Sequence, residues 1–280
     1  VEGPLPLDHR RVLVTGIVDA SSLALAIARE IRAQGGEVVA AGLGPTPHHG
    51  SLSERARDFL QSTWDAFRKT VAEQLGPEVP ILACDVTLEP SVTDLGRGLA
   101  EEGGGVDGVV HAIALDRTLR RGRAASLLET SREDFLACVD VSAWSLVALT
   151  QSLLEAKALR AGGSLVALSY IGAERVVSHP YKSIGVAKAA LERAVVELAA
   201  ELGPEHGVRV NAVRFSPYTA SRAGGAIPAL AEAEAQSGAA SPLGNARPRD
   251  LALEVAHLLR PDLAVTGEIR HVDGGHHTRI

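Results

Sequence analysis

Sulfur is scarce in this sequence: there are two cysteines, Cys84 and Cys138, and no methionine. Cys84 closes an apolar run and Cys138 falls in a helical pattern, so both read as buried thiols rather than as a disulfide. The missing methionine, at the first position too, reads as a processed or trimmed start and carries nothing functional. A basic excess is also lacking. The net charge of −6 gives no support for a nucleic-acid partner, which usually meets a basic surface. No apolar run reaches the ~18 residues that span a bilayer. The stretch from Val1 to Arg11 lacks the basic-then-apolar order of a signal peptide. The expectation is a soluble cytoplasmic protein without membrane insertion.

What is present is ordinary globular material. With 46% hydrophobic and 22% charged residues, the 280-residue chain can bury a substantial core, as one large α/β domain or two small ones. Arg11–Thr15 is a short apolar run that stops at Gly16; Leu23, Ile27, Ala28 and Ile31 follow at helical spacing, and Glu37–Ala41 is a second strand. This is a βαβ unit. Its first turn, Gly16 to Ala24, has one glycine, then Ser22 and Ala24. Glycine permits a tight turn, and small residues let an anion approach the N–H groups at the helix start. Ser22 fits either a phosphate contact or a helix cap.

Positions 42–63, rich in Gly, Pro and Ser, read as a long surface excursion, with a helix from Trp64 to Leu75. His48 and His49 lie side by side there, without cysteine or a carboxylate cluster, so no metal site is expected. Val79–Cys84, Asp107–Ile113, Ser164–Leu168, Gly207–Arg214 and Gly267–Gly275 read as further strands, and 131–158 as one long helix. Asp85, at a strand's carboxyl end, suits an adenine amino group or a helix cap. Phe215 to Pro248 is too long for an ordinary connection, and reads as a lid or binding loop, with disorder as the alternative. Strands and helices alternate without repeats. This implies an α/β, three-layer doubly wound Rossmann fold with a parallel sheet of about seven strands in one domain spanning 1–280.

One stretch stands out chemically. Tyr170 follows the fifth strand, Tyr181 heads the next helix, and Lys188 comes two turns later. That spacing puts Tyr181 and Lys188 on one helix face, about 10 Å apart along the axis. A phenol with an ammonium behind it can donate to an oxygen that gains negative charge. A buried tyrosine and a surface lysine are the alternative reading.

Taken together, the turn at Gly16–Ala24, Cys84-Asp85-Val86, Val110-His111-Ala112-Ile113, the Ser169-Tyr170-Ile171-Gly172-Ala173-Glu174-Arg175 block, Tyr181 with Lys188, Gly207–Ala212 and His271–Gly275 resemble the enoyl-acyl-carrier-protein reductases. These are a divergent branch of the short-chain dehydrogenase/reductases. The resemblance runs in order over nearly the whole chain. Ordinary short-chain dehydrogenases carry lysine four residues after the tyrosine; here Gly185 stands there and the lysine is Lys188.

The resemblance implies an oxidoreductase acting on CH–CH groups: reduction of the trans-2 double bond of enoyl thioesters on acyl-carrier protein or CoA, in fatty-acid synthesis. It implies Tyr181, Lys188 and Tyr170 as catalytic residues. Gly16, Ile17, Ser22, Leu23 and Ala24 fall at the pyrophosphate, Asp85 and Val86 at the adenine, Ile113 near the ribose, and Pro217 and Thr219 near the nicotinamide end, where Ser221 is the alternative to Thr219. It also implies a substrate-binding loop at about 215–248 and a homotetramer. After Ala41 there is no acid to take a ribose hydroxyl pair, and no arginine before Arg55 to meet a 2′-phosphate; the resemblance, to a family that mostly uses NADH, implies NADH ahead of NADPH. Two other readings stay open: a carbonyl-reducing short-chain dehydrogenase, and a dinucleotide-binding homologue without turnover.

Overall fold

The structure, a computed structural model, describes residues 5–120 and 123–279. The first half runs β1 (Arg11–Thr15), α1 (Leu23–Ala33), β2 (Glu37–Gly42), α2 (Glu54–Gln74), β3 (Ile81–Ala83), α3 (Glu89–Gly103) and β4 (Val106–His111). A small antiparallel hairpin follows, β5 (Leu119–Arg120) with β6 (Arg123–Ala124). Then come α4 (Arg132–Val139), a π-helical turn (Asp140–Trp144), α5 (Ser145–Glu155) and β7 (Leu159–Ser169). The chain continues through α6 (Lys182–His206), β8 (Arg209–Phe215), α7 (Arg222–Gly225), α8 (Leu230–Ala240), α9 (Pro248–Leu259) and β9 (Ile269–Val272).

Seven strands pair in parallel in the order β3-β2-β1-β4-β7-β8-β9. Both faces of such a sheet must be covered, so its strands are apolar at successive positions rather than alternately. In β1 and β2, Val12, Val14, Val38 and Ala40 enter one core with α1, α2 and α9, whereas Leu13, Val39 and Ala41 enter the other with α3, α5 and α6. The order reverses between β1 and β4, which opens a crevice at the strands' carboxyl ends. The expected three-layer doubly wound fold is what the chain adopts.

Three expectations need correction. Helix α2 begins at Glu54, ten residues before the expected Trp64, so the excursion is confined to 43–53. Ser53 accepts the Ala56 N–H as its cap, and few residues of the helix are buried. A mostly solvated helix leaves only a sparse apolar stripe to read. The expected single helix over 131–158 is interrupted by the π turn, where Ser142 Oγ accepts the Leu115 N–H at 3.0 Å and Ser145 Oγ donates to Val141 O at 2.7 Å. The 215–248 segment holds two helices, α7 and α8, so the disordered alternative fails. By length and composition Arg132–Glu155 is apolar enough to cross a membrane, yet Leu146, Leu149 and Leu153 are buried in the core beside the sheet.

Candidate active site

The crevice begins at the β1–α1 turn. Thr15 Oγ1 donates to Val110 O at 2.9 Å and accepts the Ala112 N–H at 3.3 Å, which locks the ends of β1 and β4 together. Gly16 sits at φ +87°, and a Cβ there would collide with the Ala112 carbonyl. Only glycine fits both demands. Ser22 resolves its two readings differently from either: its Oγ accepts the N–H groups of Val18 and Asp19, at 2.9 and 3.0 Å, and so folds the turn itself. No side chain caps α1 and no acid lies in its first turn. Its N-terminus is therefore an open anion site, and the cradle fits a dinucleotide pyrophosphate. Ile17 and Ala24 are buried in the core under this turn.

Across the crevice stand the tyrosines. The Tyr170 and Tyr181 rings meet edge to face, centroids 4.9 Å apart at 73°. Gly172, in the 3₁₀ turn Ile171–Ala173, makes this possible: a Cβ there would overlap the Tyr181 ring. Burial pushes both phenols well above their ordinary range, Tyr181 further through its neighbour Tyr170. Each phenol therefore keeps its proton at neutral pH and acts as a hydrogen-bond donor.

Lys188 is buried, 5% exposed, which overturns the surface-lysine alternative. Its Nζ donates to Leu168 O at 2.8 Å and to Ile113 O at 3.3 Å, leaving a third donor. Burial pulls its pKa down to about 8. Gly185 lies where an ordinary short-chain dehydrogenase has lysine, and a Cβ there would stand 2.8 Å from the Gly172 carbonyl. The backbone turn that seats the tyrosines thus closes position 185 to any side chain.

A buried charge cluster braces this wall. Arg214, on β8, grips Glu192 of α6 through Nε at 2.8 Å and Nη2 at 2.6 Å, and also bonds Glu174 beside the 3₁₀ turn. Ser169 Oγ donates to Glu192 at 2.6 Å. Glu192 and Glu174 hold the Arg214 guanidinium charged, above its usual range.

A cavity of about 130 Å³ unites Leu23, Tyr170, His179, Tyr181, Pro217 and Ser221 beneath α7 and α8. Pro217 thus lines the cavity together with the tyrosines. Thr219 does not: its N–H and hydroxyl both bond Glu234 of α8, at 3.0 Å for the N–H, and Ser221 faces the cavity instead. Asp85 and Val86 lie apart, at the carboxyl end of β3. Asp85 caps no helix; it accepts from Thr87 N and Oγ1, at 2.9 and 2.7 Å, and meets His49 Nε2 at 3.2 Å. His48 pairs with Asp94 instead, so the two adjacent histidines diverge.

Two features escaped the sequence reading. His179 is 2% exposed between the tyrosines, with centroids 5.5 Å from Tyr170 and 5.8 Å from Tyr181. Near the C-terminus, His271, Asp273 and His277 cluster closely enough to hold an ion. Here the geometry favours internal pairing. Asp273 accepts from the Gly275 and His277 N–H groups, at 3.0 and 3.1 Å, and meets His277 Nδ1 at 2.9 Å. Arg214 Nη1 lies 3.3 Å from His271 Nε2, so the ring's proton belongs on Nδ1, which faces Asp273 Oδ2 at 3.5 Å.

A parallel sheet with an anion-ready turn at its switch point, and a protonated tyrosine with a buried lysine across it, define a nicotinamide-dinucleotide oxidoreductase of the short-chain dehydrogenase/reductase class. Residues 16–277 match the family model described as enoyl-(acyl carrier protein) reductase. The chain is 32% identical to the NADH enoyl-[acyl-carrier-protein] reductase FabI of Aquifex aeolicus over 97% of its length and 92% of the relative's. It is 35% identical to the NADPH enzyme of Staphylococcus aureus, over 98% of both. The Aquifex aeolicus crystal structure superposes with a TM-score of 0.81 at 30% identity, over 97% of this chain and 98% of that one. The Alistipes finegoldii FabI–NADH complex gives 0.84 at 25% identity, over 98% and 90%. This chain belongs to the enoyl-acyl-carrier-protein reductase family.

Proposed function

We propose that this chain reduces the trans-2 double bond of enoyl thioesters on acyl-carrier protein or CoA, in fatty-acid synthesis, with NADH as donor. The observation that carries the reading is the pairing of Tyr181, a half-buried phenol that stays protonated, with Lys188, a buried cation whose third donor is free of the carbonyls that fix it. When bound, the nicotinamide supplies hydride to the β-carbon. Tyr181 donates to the thioester carbonyl oxygen and stabilises the enolate-like charge until the α-carbon is protonated. Lys188 holds ribose hydroxyls and keeps positive charge near that oxygen. Tyr170, edge-on to Tyr181, lines the substrate pocket. Gly16, Ser22, Leu23 and Ala24 shape the pyrophosphate turn, and Ile113 fixes Lys188 through its carbonyl. Asp85 and Val86 border the adenine, and Ser221 rather than Thr219 serves the nicotinamide end. The segment 215–248 is the substrate loop.

A carbonyl reductase with the ordinary spacing is disfavoured by the closed position 185. NADH is favoured over NADPH because 43–53 carries no lysine or arginine, and its two histidines already face acids. The test is loss of reduced-nicotinamide absorbance with a trans-2-enoyl thioester, run with each coenzyme. Wild type should turn over, faster with NADH, and Tyr181→Phe should lose about 100-fold or more in kcat. No turnover despite coenzyme binding would sink the reading; undiminished activity in the variant would remove Tyr181 from its role.

The exposed Leu136 and Trp144, on α4 and the π turn, offer an apolar face for self-association, and we assign it to a homotetramer. Sedimentation showing a monomer at micromolar concentration would contradict that. A cytoplasmic setting suits Cys84 and Cys138, both buried and unpaired.

A further inference from the structure

We propose that His179 is a second hydrogen-bond donor to the thioester carbonyl oxygen, acting beside Tyr181. The inference rests on the enoyl-thioester reading above. Among the described residues, neither Nδ1 nor Nε2 of His179 has a hydrogen-bond partner, although the residue is 2% exposed. Buried polar groups are almost always paired, and one left unpaired is destabilising. A ring with both nitrogens idle is therefore a site waiting for a ligand atom, or a defect.

Its surroundings favour the ligand. His179, Tyr170 and Tyr181 form a triangle, with centroid distances of 4.9, 5.5 and 5.8 Å, in the lining of the cavity. Much of the remaining lining is apolar, with Leu23, Phe215, Ile227 and Leu230. A substrate with a polar head and an apolar tail fits with its carbonyl against the three rings and its chain along the apolar lining. An oxygen that meets the Tyr181 hydroxyl then lies in the cavity that the imidazole also lines.

The ring acts by donating, not by giving up its proton. Burial alone lowers its pKa, to about 4, and no charged neighbour contributes. At neutral pH it is an uncharged imidazole with one N–H and one lone pair. It therefore supplies a fixed dipole to developing negative charge and leaves the protonation of the α-carbon to another source.

The experiment compares wild type with His179→Phe and His179→Asn, reading steady-state kinetics with a trans-2-enoyl thioester, NADH affinity by fluorescence, and Tm. His179→Phe keeps a ring and deletes both nitrogens. It should lower kcat by about tenfold or more, leave NADH affinity unchanged and raise Tm, because two unpaired buried nitrogens disappear. His179→Asn keeps a donor and should recover most of the lost kcat. A purely packing role predicts otherwise: both variants impaired alike, or a Phe variant with lower Tm and normal kcat. Either result overturns the inference. If wild type turns over while His179→Phe matches it, only this inference falls. If wild type consumes no enoyl thioester, the functional reading fails and takes the inference with it.

Discussion

At the scale of single residues, the site is held by atoms that are missing. Gly172 leaves room for the Tyr181 ring, and Gly16 leaves room for the Ala112 carbonyl. A methyl at 172 has to displace Tyr181 or the 3₁₀ turn, so Gly172→Ala should lower kcat with enoyl thioester by about tenfold or more. NADH affinity should change much less, since the β1–α1 turn is untouched; fluorescence titration beside steady-state kinetics separates the two. Tyr181 and Lys188 were legible in the sequence because helical spacing is arithmetic: two turns bring residues to one face; Tyr170, off the helix, was legible only through the resemblance. His179 was not, because its burial depends on how 174–180 folds back over the tyrosines, and a histidine before proline in a loop reads as solvated. Arg214 and Glu192 were equally hidden. They lie 22 residues apart on a strand and a helix, and only the packing of α6 on the sheet makes them a pair.

At the scale of elements, the strands were readable and the segments around the site less so. The central strands β1, β4 and β8 are buried on both faces, which leaves runs that are hard to miss. Helix α2 hid its first ten residues in polar sequence, and the π turn left no mark in the apolar pattern. The lid is the instructive case. Small residues in 215–248 suggested a loop, yet α7 and α8 close over a cavity of about 130 Å³, smaller than the several hundred Å³ usual for small-molecule sites. On the proposed substrate-loop reading, α7 and α8 shift to admit an acyl chain. The lid's latch is Glu234, which accepts both the N–H and the hydroxyl of Thr219. Glu234→Ala should therefore speed amide exchange at Thr219 and along α8 while leaving β8 protected, as hydrogen-exchange mass spectrometry would show. Equal exchange in both proteins would mean the latch lies elsewhere.

At the scale of the whole molecule, buried histidines set the response to acid. Burial lowers the pKa of His111 to about 3 and of His179 to about 4, from an ordinary value of 6.5. For groups whose folded pKa is lowered in this way, the unfolded chain binds protons first as pH falls. Stability is thus insensitive to these groups above pH 6.5 and declines below it, toward pH 4 for His179 and pH 3 for His111. The losses are on the order of 3 kcal/mol for His179 and 5 kcal/mol for His111 across their windows. Denaturant melts between neutral pH and pH 4 should show the decline, and His179→Phe should make it shallower. A melt midpoint that is flat over that range would remove the histidines as its cause.

The pairing order of the central sheet also sets a timetable. β1 lies next to β4, and Thr15 bonds Val110, 95 residues further on. During synthesis the middle of the sheet has no partner for one edge until that second segment leaves the ribosome, and closing so distant a contact is slow. Arg214 arrives later still, 40 residues after Glu174 and 22 after Glu192. The two tyrosines thus emerge well ahead of the guanidinium that braces their wall, and the catalytic pocket is among the last parts of the nascent chain to take its final shape.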